Sequence, residues 1–168
     1  MAKEKNLEEL FVDTLKDIYF AEKKIVKALP KMARAAQTEA LKSAFEEHRD
    51  QTEDHIDRLE QIFEILGRPA RGKTCEAIKG LLDEGEEIIE EFKGQPALDA
   101  GLISSAQAVE HYEIARYGTL KRWANELGMK DVAELLSATL DEESQTDLDL
   151  TAIADASVND KAMSEHAA

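Results

Sequence analysis

The chain has 168 residues, 43% of them hydrophobic, which is enough for one domain with a substantial core. Its 36 acidic and 21 basic residues give a formal net charge of −15, which argues against a nucleic-acid partner because phosphate binding requires a basic surface. The chain has no run of about 18 apolar residues, so no membrane helix is expected. The N-terminal MAKEKNLEEL lacks the apolar segment of a secretory signal, and the single cysteine, Cys75, excludes an internal disulfide. We therefore expect a cytoplasmic protein without a membrane partner.

Helical periodicity and glycine or proline signals predict four long helices and one short one, at about residues 7–36, 39–66, 75–92, 98–127 and 130–156. Thr38 and Thr74 are the predicted N-caps of the second and third helices. Pro30 lies inside the first helix and predicts a kink or a break there, because proline lacks a backbone donor. Glycines typical of helix ends follow three of the helices, at Gly67, Gly94 and Gly128.

The order of these helices predicts an all-α fold. The short helix lies midway between two long pairs, and the loops at 36–38 and 128–129 are short enough to make each pair an antiparallel hairpin. This order is typical of an antiparallel four-helix bundle whose long crossover carries a short fifth helix. We assign residues 1–156 to the bundle and residues 157–168 to a flexible C-terminal tail. The apolar stripe of the short helix is expected to lie against the bundle or against a second subunit.

The apolar core register of every long helix is interrupted by ionisable residues near its middle. Apolar residues three and four apart mark the buried face of a bundle helix. On that face the interruptions are Glu22 in the first helix, His48 and His55 in the second, Glu110 and Glu113 in the third, and Glu143 in the fourth. Asp147 lies four residues after Glu143 and shares its face. In two antiparallel hairpins these residues fall at similar heights, so we expect them to meet inside the bundle.

A cluster of buried carboxylates requires a compensating positive charge, because unpaired buried acids are costly and repel one another. None of the core positions holds Lys or Arg. A metal ion is therefore the predicted partner. Carboxylate and imidazole ligands favour iron or manganese, and zinc also binds such sets, whereas the absence of nearby thiolates argues against a soft-metal site.

Each of these residues, taken singly, has an ordinary explanation. A lone core Glu usually leans to solvent, a lone core His is usually hydrogen-bonded, and Glu143 belongs to an acidic run at residues 141–143 that is typical of an exposed face. The coincidence on four helices favours the metal site. His111 and His166 lie off the core register or in the tail and are predicted surface residues. Tyr117 is predicted to pack near the acids and donate a hydrogen bond to a ligand, and Cys75 is predicted to be a half-buried packing residue.

Four segments of the chain resemble the YciE/YciF family of bacterial ferritin-like stress proteins. They are DIYFAEKKIVKALPKMARAA, RPARGKTCEAIKGL, QAVEHYEIARYGTLKRWA and ATLDEE, and the resemblance covers about residues 7–156. The VEHYEIARYGTL stretch is its most specific part. The resemblance implies a ferritin-like bundle, a homodimer, a cytoplasmic location and a link to general stress responses.

The wider ferritin-like group, which includes the rubrerythrins, carries inward Glu residues on two helices and Glu-x-x-His motifs on the other two. By this resemblance Glu22, Glu110 and Glu143 match the Glu ligands of the first, third and fourth long helices. Glu113 resembles the additional Glu of rubrerythrin-like sites. The resemblance thus implies a di-iron carboxylate site, with two irons per chain if the ligand set is complete.

The chain departs from this pattern on two helices. The fourth helix has Thr146 and Asp147 where a His is expected, and the second has His48, Gln51 and His55 in place of Glu-x-x-His. Relatives often carry Glu at the position of Gln51, so one bridging carboxylate is missing here. The sequence is compatible with two metals or with one strong and one weak metal. Gln51, Thr146 and Tyr117 are then predicted to support the ligands and not to bind metal.

Three functions are compatible with these observations. The first is a redox protein whose metal pair, about 3.5–4 Å apart, reacts with peroxide, dioxygen or ferrous iron. The second is a non-enzymatic dimeric stress or interaction protein in which any metal is structural. The third is a cage-forming iron store, which is disfavoured because no additional terminal helix follows the fourth long helix.

Overall fold

The computed structural model describes residues 4–164, all of whose regular structure is helical. The helices are α1 (Leu7–Ala35), α2 (Glu39–Ile65), α3 (Glu76–Glu91), α4 (Leu98–Glu126) and α5 (Lys130–Ile153), followed by a π-helical turn (Ala154–Val158) and the short α6 (Asn159–Ala162). Helix α1 is unbroken through Pro30. Within the described range, no helix has the length and apolar character needed to span a bilayer.

The four long helices form a closed ring in which each contacts two others. Helix α1 packs against α2 and α4, and α5 packs against α2 and α4, which leaves the apolar faces of all four directed inward. Helix α3 lies outside this ring across α1 and α4. It approaches α4 closely at Gly101, where an added Cβ would lie 2.7 Å from Cγ2 of Ile88. The predicted four-helix bundle with a helix-bearing crossover is confirmed, and the crossover helix packs on the bundle.

The N-terminus of α2 is capped by a side chain from another helix. Thr38 occupies the N-cap position, but its hydroxyl makes no capping hydrogen bond, contrary to the prediction. Instead the buried carboxylate of Asp99 on α4 accepts hydrogen bonds from the backbone N–H groups of Gln37 (2.7 Å) and Thr38 (2.9 Å). A carboxylate at this end also complements the helix dipole. Asp99 therefore ties the loop between α1 and α2 to the second hairpin.

Helix α3 begins at a cysteine. The N-cap is Cys75 and not the predicted Thr74, because the Cys75 Sγ accepts from the backbone N–H of Ile78. The side chain is fully buried, not half-buried as predicted, and Sγ lies 3.0 Å from the hydroxyl of Tyr112. The predicted end glycines adopt left-handed conformations that suit residues without a Cβ, with φ values of 64°, 72° and 74° at Gly67, Gly94 and Gly128.

Helical structure at the C-terminus continues to Ala162, beyond the predicted end of the last helix at residue 156. The reason is burial. Val158 is only 1% exposed, and the π-helical turn and α6 both pack against α4. A π-turn places an extra residue in the helix and so changes which side chains face inward. The flexibility of residues 157–168 stays a prediction, and residues 165–168, with His166, lie outside the described range.

Candidate metal centre

Six of the seven predicted ligands meet at mid-height inside the bundle, and none is more than 5% exposed. They form two groups that share one residue, and within each group the ligand atoms lie within 4.8 Å of one another. The first group joins α2, α4 and α5, and the second joins α1, α2 and α5. The first contains His48, Glu110, Glu113 and Glu143, and the second contains Glu22, His55 and Glu143.

Glu143 belongs to both groups and directs one carboxylate oxygen to each. Its Oε2 lies 3.8 Å from His48 Nε2, and its Oε1 lies 2.9 Å from His55 Nδ1. Glu110 Oε1 lies 2.8 Å from His48 Nε2 in the first group, and Glu22 Oε1 lies 3.4 Å from His55 Nδ1 in the second. A carboxylate placed in this way can bridge two metal ions.

Most ligand atoms of the six residues have no hydrogen-bond partner among the described residues. The short distances above are ion-pair distances, and the histidines carry the positive charge of such a pair only when they are protonated. The unpartnered buried atoms are Glu22 Oε2, His48 Nδ1 and Nε2, His55 Nδ1, Glu110 Oε2, and both oxygens of Glu113 and Glu143. An unsatisfied buried polar atom costs about 1–3 kcal/mol, and more if charged. A bound metal ion could satisfy these atoms together, because they lie in two compact groups.

The electrostatics show how the protein accommodates these acids without a metal. Burial and the neighbouring carboxylate of Glu143 raise the pKa of Glu110 and of Glu113 well above the ordinary value. Burial lowers the pKa of His55, but Glu143 and Glu22 outweigh it and raise that pKa to about 10. For Glu143, burial is outweighed by Glu110 and the imidazoles, which lower its pKa to about 2. Without metal, the raised pKa values favour protons on Glu110, Glu113 and His55, and a metal ion bound there would displace them.

Tyr117 on α4 holds one of the ligands in place. Its hydroxyl donates a 2.6 Å hydrogen bond to Glu22 Oε1, and both side chains are fully buried. Burial and the charge of Glu22 raise the pKa of Tyr117 well above its usual value. Tyr117 therefore stays a neutral hydrogen-bond donor. Because it contacts only Oε1 of Glu22, Oε2 is available to a metal.

A chain of polar contacts outside the ligands orients His55, and the sequence analysis missed it. His55 Nε2 donates to Glu142 Oε2 at 2.8 Å, so Nδ1 faces the site. Arg58 in turn donates to both oxygens of Glu142, each at 2.8 Å, and to the Thr139 hydroxyl at 3.2 Å. Carboxylates commonly fix metal-binding histidines in this way. The available signal was the position of Arg58, one helical turn after His55 on the same face of α2.

The remaining predicted residues lie at the edge of the site. Thr146 donates a 3.3 Å hydrogen bond to Oε1 of Gln51, a contact between α5 and α2. Asp147 lies in neither group of ligand atoms. Its Oδ2 instead accepts from Nε2 of the exposed His111 at 3.0 Å, because the side chain leans toward the surface between α4 and α5.

The fold and this site define a class: a helical bundle with a buried carboxylate and histidine cluster that could hold metal. The chain belongs to the family described as a domain of unknown function, DUF892, whose profile matches residues 6–163. It is 43% identical to Protein YciF of Escherichia coli strain K12 over 159 residues. This match covers 94% of the chain and 96% of YciF. The resemblance to the YciE/YciF family is thereby confirmed.

Two solved structures are close to the described fold. The crystal structure of the E. coli stress protein YciF matches with a TM-score of 0.88 at 43% identity, over 93% of this chain and 99% of that one. YcfI of Rhodopseudomonas palustris, for which a structural role has been suggested, matches with a TM-score of 0.86 at 42% identity, over 90% and 97% of the two chains. The chain is thus similar to YciF in sequence and in its helical-bundle fold.

Proposed function

We propose that this protein is a ferritin-like metal-binding protein of the bacterial stress response that holds two divalent ions, iron or manganese, in the middle of its bundle. One observation carries the proposal. Two groups of buried ligand atoms share the carboxylate of Glu143, and most of these atoms have no hydrogen-bond partner among the described residues. Carboxylate oxygens with one imidazole per group are ligands that iron and manganese favour, and zinc binds them as well.

The charges of the ligand set support two ions. Glu22, Glu110, Glu113 and Glu143 carry four negative charges when ionised, and the two histidines are neutral when they bind metal. Two divalent cations balance those four charges, whereas a single one leaves two carboxylates unpaired in a buried site. Gln51 contributes no charge, and with Thr146 it occupies the edge of the site. The charges of the two ions and the four glutamates therefore balance without a carboxylate at position 51.

The chemistry follows from such a pair. When bound, two iron or manganese ions would supply one electron each, which together are the two electrons that reduce one peroxide to water; oxidation of added ferrous iron would use dioxygen or peroxide as the electron acceptor. The protein binds and orients: Glu143 lies between the two positions, Tyr117 holds Glu22, and the contact between Glu142 and Arg58 holds His55. The apolar core around the site limits access of water. We infer a peroxide-scavenging or ferroxidase-like role.

The experiment is metal stoichiometry across variants that separate the two groups. Protein stripped with chelator is loaded anaerobically with Fe²⁺ or with Mn²⁺, dialysed and analysed for metal. We expect two ions per chain in the wild type, one in Glu113→Gln and one in Glu22→Gln, because each residue belongs to one group only. Glu143→Gln, which weakens both groups, is expected to lose most of the metal. Exposed Glu46→Gln is the control and keeps two. No bound metal in the wild type would refute the proposal.

A second candidate is a non-enzymatic protein in which the metal is structural. The structural role suggested for the similar YcfI favours it. Peroxide turnover by loaded wild-type protein, absent from Glu143→Gln, supports the redox role, whereas full loading without turnover supports the structural one.

We also propose that the protein is a cytoplasmic homodimer. Light scattering of purified protein tests the dimer, and fractionation of cells tests the location.

A further inference from the structure

A groove whose rim carries four lysines and two acids, Asp83 and Glu86, lies between α1 and α3, outside the metal centre. Its volume is about 360 Å³, within the range of sites for small molecules. The floor is apolar and includes Leu81, Leu82 and Ile89 of α3 together with Val109 of α4. We call it the lysine groove, after the four lysines that line it: Lys24, Lys27, Lys31 and Lys79.

Two of these lysines have no acidic partner, in a chain whose net charge is −15. Lys31 pairs with Glu86 at 3.0 Å, and Lys79 pairs with Glu76 at 3.4 Å. Neither Lys24 nor Lys27 forms an ion pair with another residue in the described range 4–164. They stand one helical turn apart on α1, where like charges repel. An anion at the rim would relieve that repulsion.

The groove adjoins a second cavity that reaches the metal centre. Four apolar residues line both cavities and therefore lie between them: Ala28, Met32, Leu82 and Val109. The inner cavity has room for about one water-sized molecule, about 20 Å³, and is mostly apolar. His48 and Glu110 form part of its wall. Apolar surface therefore leads from the lysine rim to two of the candidate metal ligands.

We propose that the lysine groove binds an amphipathic anion, a molecule with one carboxylate head and an unbranched alkyl tail. The head pairs with Lys24 and Lys27 at the rim. The tail lies along the apolar floor, with its far end at the wall of the inner cavity. The unpaired lysines favour an anionic head group. The apolar floor extends inward from the rim, which favours a flexible alkyl chain, because a protein surface would contact only the rim. Binding itself needs no metal. Only the approach of the tail to a bound metal rests on the proposed function.

Calorimetry with decanoate on chelator-treated protein tests the binding, so its outcome does not depend on whether metal binds. We expect saturable binding of one decanoate per chain, and weaker binding of 1-decanol, which lacks the charge. Reversing both rim charges, in Lys24→Glu/Lys27→Glu, is expected to weaken binding about tenfold or more through repulsion of the head. Leu82→Trp, which fills the floor, weakens it similarly. The control Lys93→Glu/Lys161→Glu makes the same change of charge at exposed residues outside the groove and leaves affinity unchanged.

Three results would overturn the proposal. The first is the absence of saturable decanoate binding to the wild type. The second is equal affinity in the charge-reversed, groove-filling and control variants, which would indicate non-specific association. The third is a loss of dimer mass in light scattering for the groove variants alone, which would identify the groove as a subunit interface. The direction of the tail has its own readout: decanoate should change the visible spectrum of Co²⁺ bound in the metal centre.

Discussion

Exchanging Glu113 for glutamine should separate the cost of the buried acids from the gain due to metal. Glu113 is completely buried, neither of its oxygens has a hydrogen-bond partner in the described structure, and burial with the charge of Glu143 raises its pKa. In the metal-free protein the variant removes one acid from a crowded site while keeping its shape. We expect metal-free Glu113→Gln to be at least as stable as metal-free wild type at pH 7.

Metal should reverse this order. Each ion present at about a thousand times its Kd stabilises the native state by about 4 kcal/mol, so two ions contribute about 8 kcal/mol. In a chain of this length each kcal/mol raises Tm by about 2–4 °C, so loading should raise the wild-type Tm by about 16–32 °C. Glu113 belongs to one of the two ligand groups. The gain on loading should therefore fall to about half in Glu113→Gln, which leaves the loaded variant less stable than the loaded wild type.

The pH dependence of the metal-free protein follows from the same groups. Because the folded pKa values of Glu110 and Glu113 are raised, their ionisation costs stability as the pH rises above the ordinary value of 4.5. His55 stabilises the folded protein below its ordinary value of 6.5, and this contribution is lost as the pH rises through about 10. The lowered pKa of Glu143 matters only below 4.5. Metal-free wild type should thus be more stable at pH 5 than at pH 8. The difference in stability between these two pH values should be smaller in Glu113→Gln.

Differential scanning calorimetry on metal-free and loaded samples at pH 5, 7 and 8 measures all of these quantities. Glu46→Gln, an exposed change on α2, controls for loss of a surface charge. The reasoning is refuted if metal-free Glu113→Gln is several kcal/mol less stable than metal-free wild type while both gain equally from metal. Glu113 would then be a structural hydrogen-bonding residue and not a ligand.

Three further predictions concern residues around the centre. Glu142→Ala should weaken metal binding about 10–100-fold in competition with a chelating dye, because the imidazole of His55 loses the contact that orients it, while the stoichiometry at saturation is unchanged. Asp99→Ala should lower the free energy of unfolding by about 1–3 kcal/mol in urea titrations, because it leaves two backbone donors at the start of α2 uncapped, whereas Asp99→Asn should recover part of the loss. Cys75 should resist iodoacetamide in native protein and react after unfolding, because it is fully buried and burial raises its pKa; rapid native labelling, measured by mass spectrometry, would contradict this.

Several features of the structure could not be predicted from the sequence because they depend on how helices are placed along one another. The acidic run at residues 141–143 is typical of an exposed face, yet Glu143 is buried in the ligand cluster, and Glu142, whose side chain is 33% exposed, contacts His55. Asp147 shares the helix face of Glu143, but at its height the neighbour is His111. Periodicity shows which side of a helix is buried, and it does not show which residue of the next helix lies opposite.

The sequence by itself determined the bundle and six residues that meet in its centre, because burial of one helix face repeats every three to four residues and can be seen along a single chain. Tertiary structure alone decided that Glu143 is shared between two ligand groups, that Arg58 and Glu142 orient a histidine, and that Asp99 caps a helix in the other hairpin. These contacts join residues on different helices, between 30 and 121 positions apart in the sequence. Their distances depend on the axial offset and rotation of packed helices, which side-chain packing fixes only when the whole bundle has formed.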